Sequence, residues 1–344
     1  MNLPFITIII PCRNEERYLV SCLESLIRNT YPKELTEIIL VDGMSSDSTP
    51  QIIQSFIIKH DYIRFINNPD IIFPSAVNTG IRNSKGELIF IAGAHAVYSP
   101  DYIMKSVENS LKYDADNVGG ILFTRELSET FVGRIVTFVL SSRFGVGNST
   151  FRTGSADIVE ADTVFGGCYR RTVFDKIGLL NENLVSTSDY EFNKRLRRNG
   201  GKIILDPAVT AEYYTRTTFK SFVKNNLRNG YWSIYPLLFV DYIPVSVRHF
   251  VPLVFILSLV SAFIFSILFH PLIYLFLAIL ILYFLFAFGF TIPSGLKLYG
   301  KCIAPFFFFI LHSTYGLGSL WALIKIVLVR IGILKINIIS MKKL

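Results

Sequence analysis

The chain has 344 residues, of which 51% are apolar and only 17% charged, whereas soluble domains carry about a quarter charged residues. A mini-protein is excluded, and part of the chain belongs outside water. The net charge of +8 suggests a nucleic-acid partner until it is divided along the chain. Residues 1–249 hold 27 Lys and Arg against 26 Asp and Glu, and residues 250–344 hold 7 against 0, so the larger part is neutral and nucleic acid loses its electrostatic case.

The soluble part opens with a β-branched run at residues 5–11 and a second at 37–42, both read as buried strands. Between them, Leu19, Cys22, Leu23 and Leu26 recur at helical spacing within a predicted helix over 15–29. The alternation continues with a helix over 49–60, a strand over 62–66, a helix over 74–83 and a strand over 87–92. This order predicts parallel βαβ units, whose ligands sit at the carboxyl ends of the strands. Those ends carry PCRNEE (residues 11–16), DGMSSDST (42–49) and GAHAVY (93–98). Asp42 closes an apolar strand, where it can accept hydrogen bonds from a base edge or a ribose; Asp47 and Ser48 read as helix caps. His95 stands at the third of these ends, and its plain reading is an ordinary loop histidine. Cys12, Cys22, Cys168 and Cys302 show no paired or regular spacing, so a reducing compartment is expected and neither a disulfide framework nor a zinc site.

Together PCRNEE, VDGMSSDST, the run at 68–87 and AHAVYSPDYI at 94–103 resemble the inverting nucleotide-sugar glycosyltransferases of family 2, and within it the succinoglycan-type glucosyltransferases. The resemblance extends over residues 4–240 and implies an α/β domain of GT-A fold, with donor contacts from Pro11, Arg13, Asn14, Glu15, Asp42 and Asn78. The family's Asp-x-Asp, which holds ribose and a divalent cation, is Gly93-Ala94-His95 here. The succinoglycan-type branch has Asp-Ala-His, so Gly93 is the departure and His95 the implied ligand for Mn²⁺ or Mg²⁺. FGGCYRRTVFDKIG at 165–178 resembles the acceptor-side strand and helix, with Gly166 and Gly167 allowing close approach to a sugar. The family's catalytic Glu-Asp is Ser188-Asp189 here, which implies Asp189 as general base; the alternative is a helix cap with Glu191 exposed beside it. Glu191 and Arg216 are placed on the acceptor side. The basic cluster from Lys194 to Lys202 reads as a solvated face. NNLRNGYW at 225–232 resembles the segment that reads Gln-x-x-Arg-Trp in processive relatives. Arg228 keeps the phosphate-pairing guanidinium, while Asn225 and Asn229 replace Gln and Trp, against processivity.

Residues 218–249 combine aromatic and basic side chains and are expected to form interfacial helices. Residues 250–290 then run without a charge for 41 positions, broken by His270 and Pro271, enough for two spans of about 20 residues. The window 303–324 is weaker, with a small and polar face at HSTYGLGS. Lys297, Lys301 and the basic tail flank these segments while the 270–271 turn has no Lys or Arg, so two spans with a re-entrant, interfacial or spanning third segment are expected. The start of the chain lacks a signal-peptide pattern. The expected organisation is a GT-A domain over 1–217, interfacial helices over 218–249 and a membrane domain over 250–344. This predicts a multi-pass enzyme of the cell membrane with a cytosolic catalytic domain, moving a sugar from a nucleotide donor to a lipid-linked, polyprenyl acceptor. A polyprenyl-phosphate sugar synthase and a non-catalytic scaffold of glycan assembly are the alternatives. The sequon at Asn148 has no consequence in a cytosolic domain.

Overall fold

A computed structural model describes residues 2–126, 130–215 and 218–335. In chain order these form β1 (Ile6–Cys12), α1 (Leu19–Ile27), β2 (Thr36–Asp42), α2 (Thr49–Ile57), β3 (Ile63–Asn67), α3 (Phe73–Arg82), β4 (Leu88–Ile91), β5 (Ala96–Tyr98) and α4 (Tyr102–Lys112). There follow β6 (Asn117–Glu126), α5 (Phe131–Ser141), α6 (Arg143–Val146), α7 (Thr150–Thr153), β7 (Val159–Glu160), β8 (Phe165–Arg170), α8 (Arg171–Ile177), α9 (Ser188–Arg198) and β9 (Ile203–Thr215). The last helices are α10 (Phe219–Ile234), α11 (Val251–Leu268), α12 (Leu272–Thr291) and α13 (Leu298–Arg330). Two compact units result: residues 1–123 with 150–214, and residues 124–149 with 215–337.

In the first unit the sheet runs β3-β2-β1-β4-β8-β6-β9-β5, with β7 pairing β9. β3, β2, β1 and β4 are parallel. Their apolar, β-branched residues are buried on both sides, as parallel strands covered by helices require; Ile8, Ile9, Ile38, Ile39 and Leu40 have no exposed area. The predicted stripe of α1 packs as expected, with Leu19, Cys22, Leu23 and Leu26 in the core. Beyond β4 the direction reverses, for β8 runs antiparallel to β4 and β6 antiparallel to β8. Burial pushes the Cys22 and Cys168 thiols up to about 12, so both stay protonated and inert.

The second unit gathers α10 to α13 with the excursion 124–149, a stretch that the sequence placed inside the first domain. Phe144 of α6 explains the recruitment: its ring lies 5.0 Å from Phe308, 5.3 Å from Phe290 and His312, and 5.4 Å from Tyr283. Tyr283 in turn shares a hydrogen bond of 2.7 Å with His312 Nδ1. α11, α12 and α13 are each long and apolar enough to cross a membrane.

The small residues of HSTYGLGS serve helix packing. A Cβ on Gly318 would lie 2.1 Å from the carbonyl oxygen of Leu227, one on Gly230 would lie 1.9 Å from that of Tyr315, and one on Gly316 would lie 2.2 Å from that of Pro252. Ser319 Oγ donates to the Gly230 carbonyl at 3.0 Å. α10, which falls in the stretch expected to be interfacial, is bound backbone-to-backbone to α13. Gly318→Val is expected to cost roughly 1–3 kcal/mol through overpacking, read as a lowered melting temperature in detergent, whereas Gly295→Ala, which meets nothing within 4 Å, should leave it unchanged.

Candidate active site

β1 and β2 end level, with Cys12 opposite Asp42, and this brings PCRNEE beside DGMSSDST. The chain turns at Asn14, whose φ of 56° is a left-handed conformation that Asn tolerates. Asn14 N–H donates to Ser45 Oγ and its Oδ1 accepts from Ser46 N–H, both at 2.8 Å. Glu15 N–H donates to Thr49 Oγ1 at 2.7 Å. Glu16 N–H donates to Asp47 at 3.2 Å and Ser48 N–H donates to Glu16 at 3.1 Å. Asp47 also accepts from Thr49 N–H at 3.0 Å, as expected at the start of α2. The two loops are therefore one hydrogen-bonded unit that leaves Arg13 exposed and Pro11 half-buried. Asp42 is 2% exposed, and Ser45 engages both of its carboxylate oxygens through N–H and hydroxyl. It therefore shapes the loop that a nucleotide would meet.

His95 follows β4, and its Nδ1 stands 2.6 Å from Glu15 Oε2. The spacing is that of an ion pair, yet both atoms are buried without a hydrogen-bond partner of acceptable geometry. Among the described residues no three His, Cys, Asp or Glu side chains converge. A neutral imidazole and a carboxylate are each able to ligate a divalent cation, and here they stand in contact with each other. Tyr18 and Tyr213 hold the imidazole edge-on, at 5.3 and 5.9 Å. Gly93 N–H donates to Tyr98 OH at 2.7 Å, and a Cβ there would meet Phe165 Cζ at 3.4 Å, an ordinary contact.

Asp189 occupies the first turn of α9, after Thr187 with φ 62°, rare for a β-branched residue and a mark of a constrained site. Asp189 is exposed by area, yet the protein dense around it raises its carboxyl above the ordinary value. Hydrogen bonds from the N–H groups of Tyr190 and Asp189 itself, and the charge of Arg152, oppose that rise. The Asp189 carboxylate is thus open to water at the start of α9. α9 is fixed from behind by a network that the sequence did not reveal. Tyr169 OH donates to Asn193 Oδ1 at 3.0 Å, Asn117 Nδ2 donates to the same oxygen at 3.1 Å, and Asn193 Nδ2 donates to Thr163 Oγ1 at 2.8 Å.

Several expectations are corrected. Asn78 offers nothing to a donor, because its amide donates to Leu180 O at 2.9 Å and Glu182 Oε1 at 2.7 Å and accepts from Leu180 N–H at 3.0 Å. Glu191 is neither exposed nor available to an acceptor. It is 2% exposed and takes Arg195 Nε at 2.8 Å and Nη2 at 3.1 Å, so Arg195 also leaves the solvated cluster. The close neighbours of Gly166 and Gly167 are protein groups: a Cβ on Gly166, whose φ is 57°, would lie 2.7 Å from Tyr102 OH, and one on Gly167 2.5 Å from Asn117 Oδ1. Arg228 is exposed on α10 in the second unit, and Arg216 lies outside the described residues.

Known proteins resemble this chain in sequence and fold. The family model of glycosyl transferase family 2 covers residues 7–178. A dolichyl N-acetyl-α-D-glucosaminyl phosphate 3-β-D-2,3-diacetamido-2,3-dideoxy-β-D-glucuronosyltransferase of Methanococcus voltae is 31% identical over 66% of this chain and 72% of its own. Succinoglycan biosynthesis protein ExoA of Rhizobium meliloti is 26% identical over 61% and 63%. The fold is that of the mannosyltransferase PcManGT from Pyrobaculum calidifontis, solved with GDP-Man and Mn²⁺, with a TM-score of 0.63 at 14% identity over 94% of this chain and 88% of that one.

Removing the charge of Glu191 strands Arg195 in a buried pair, which costs roughly 3 kcal/mol. Glu191→Gln should therefore lower the melting temperature by several degrees while the KM for donor moves little. The chain belongs to glycosyl transferase family 2 and carries a GT-A transferase domain followed by helices able to span a membrane.

Proposed function

We propose that this chain transfers one sugar, with inversion, from a nucleotide-sugar donor to a lipid-linked acceptor at the cytosolic face of the membrane. The donor class is uridine diphosphate sugar, following the succinoglycan-type resemblance. The Methanococcus relative, named for transfer to a dolichyl-phosphate-linked sugar, supports the acceptor class. The replacement of Gln and Trp by Asn225 and Asn229 supports single transfer.

The observation that carries the reading is Asp189, an exposed carboxylate in the first turn of α9, after the left-handed Thr187, with a raised proton affinity. Asp189 removes the proton of the acceptor hydroxyl as that oxygen bonds to the anomeric carbon. The bond from that carbon to the diphosphate oxygen breaks on the opposite face, and the nucleotide leaves as the anion. One positioned base suffices, because the leaving group needs charge neutralisation more than a proton. Glu15 and His95 would hold a divalent cation, which when bound supplies that neutralisation. The loop around Asp42 orients the nucleoside, and Arg228 is the guanidinium assigned to phosphate oxygens.

Asp189→Asn keeps the shape and removes the basic lone pair. It should lower kcat by at least about 10²-fold with donor affinity nearly unchanged. For the parent protein the sign of the shift sets the acid limb: the base works as the carboxylate, so kcat should fall as pH drops through a value above that of an ordinary aspartate. A carboxyl raised on folding contributes stability below its unfolded value and loses it as pH rises through the folded one. Asp189→Asn should therefore melt no lower than the parent at pH 7. Full turnover of Asp189→Asn against a panel of nucleotide sugars would refute the assignment, and no turnover of the parent with any donor would favour the scaffold reading.

Gly93→Asp is the complementary gain. Its Cβ fits, and Asp is the residue of the succinoglycan-type branch at this position, so Mn²⁺ should bind several-fold tighter by calorimetry. His95→Ala should weaken Mn²⁺ binding.

A further inference from the structure

α13 has 33 residues, close to 50 Å of helix, and on length and apolarity it qualifies as a third span. Its neighbours within the second unit argue otherwise. α13 touches α12 in the latter's last turns, where Phe284 lies 5.2 Å from Phe306 and 5.6 Å from Phe309, and Tyr283 lies 5.8 Å from His312. It touches α11 at the latter's start, where Gly316 meets Pro252 and Ile256 and Phe309 meets Phe255 at 6.0 Å. Both zones belong to the membrane side from which α11 departs and to which α12 returns. The far half of the hairpin stays uncovered, with Leu268 79% and Tyr274 74% exposed.

The second observation is α10. Phe219 meets Phe307 at 5.8 Å, Gly230 meets Tyr315, Tyr231 meets Trp321 at 5.1 Å, and Lys325 Nζ lies 5.1 Å from the Tyr235 ring. The two helices therefore run parallel from 307 to 325. α10 exposes Lys220, Lys224, Asn225, Arg228 and Asn229, so wherever residues 307–325 lie, these polar groups lie beside them. Hydrocarbon does not accept that row, and the headgroup layer does.

We propose that α13 does not cross the bilayer but lies along the leaflet next to the catalytic side, with Phe306, Leu317, Trp321, Ile324 and Val327 docked on lipid. These residues share one helix face and are exposed, opposite the packed Phe308, Leu311, Gly318 and Ala322. Lys297, Lys301, Lys325 and Arg330 and the absence of any acid after residue 249 fit an anionic lipid surface. Both ends of α13 then share one side of the membrane, and two spans remain.

Two measurements on the full chain in vesicles test this. In a Cys302→Ser background, an impermeant maleimide should label Gly295→Cys and Ile333→Cys from the same side and His270→Cys from the other. Labelling of Gly295→Cys and Ile333→Cys from opposite sides overturns the proposal. Trp321 is exposed and Trp232 buried, so the fluorescence of Trp321, isolated by subtracting Trp321→Phe, reports depth in phosphatidylcholine with phosphatidylglycerol. Bromines at acyl carbons 6 and 7 should quench it at least about twofold more than bromines at carbons 11 and 12. The reverse order indicates a span, and no quenching by either indicates that a protein surface covers this face; each result overturns the proposal.

Discussion

The level ending of β1 and β2, with Cys12 across from Asp42, is the constraint on which the donor side depends. Parallel strands in register deliver their following loops to one edge, and Gly43 N–H donates to the Cys12 carbonyl at 2.9 Å just past that point. From there the side chains take over. Asn14 binds Ser45 and Ser46, Glu16 exchanges bonds with Asp47, and Asp42 holds Ser45. A loop pair tied this densely does not need a ligand to acquire its shape, and preorganisation of that kind limits the ordering cost of binding a nucleotide. Glu15, the residue between these ties, is thereby aimed at His95, at the end of the next parallel strand.

The proposed catalytic carboxylate depends on a different support. Asp189 sits on α9 beyond the point where the sheet has turned antiparallel, and that helix is anchored by the Tyr169, Asn193, Asn117 and Thr163 network and by the Glu191–Arg195 pair. Donor and acceptor sides thus rest on separate buried polar assemblies. Unpaired polar groups are costly in a low-dielectric interior, which is why Glu191 and Asn78, attractive as ligands from sequence, are consumed in bonds to other protein groups.

The parallel half was legible because β-branched runs and a 3.6-residue stripe are local signals: the strands and helices through residue 92 lie within a few residues of their expected places. The candidate base was legible from motif order. What escaped is non-local. Arg152 stands 37 positions before Asp189 and nothing in its neighbourhood advertises that its charge acts on that carboxyl. Asn78 looks like any polar residue on a helix, and only the fold shows its amide facing Leu180 and Glu182. The Glu191–Arg195 pair was present in the sequence at the i, i+4 spacing of helical ion pairs, but a basic cluster conceals which of its members turns inward. Phe144 gives no sign that it draws residues 124–149 into the second unit, since the four rings around it come from positions 283 to 312.

Hydropathy alone is least reliable for α13, where composition and neighbours conflict. Carrying Lys220, Lys224 and Arg228 to the depth of a spanning α13 would cost about 2.5–3.5 kcal/mol for each charge. The apolar stripe of α13 gains nearly as much at the interface as deeper, because its opposite face is already buried against α10 and α11. The glycines that let α10 and α13 touch backbone to backbone make that trade rigid, since neither helix can change depth without the other. The segment carrying Arg228 is thus set by the same packing that sets the depth of α13.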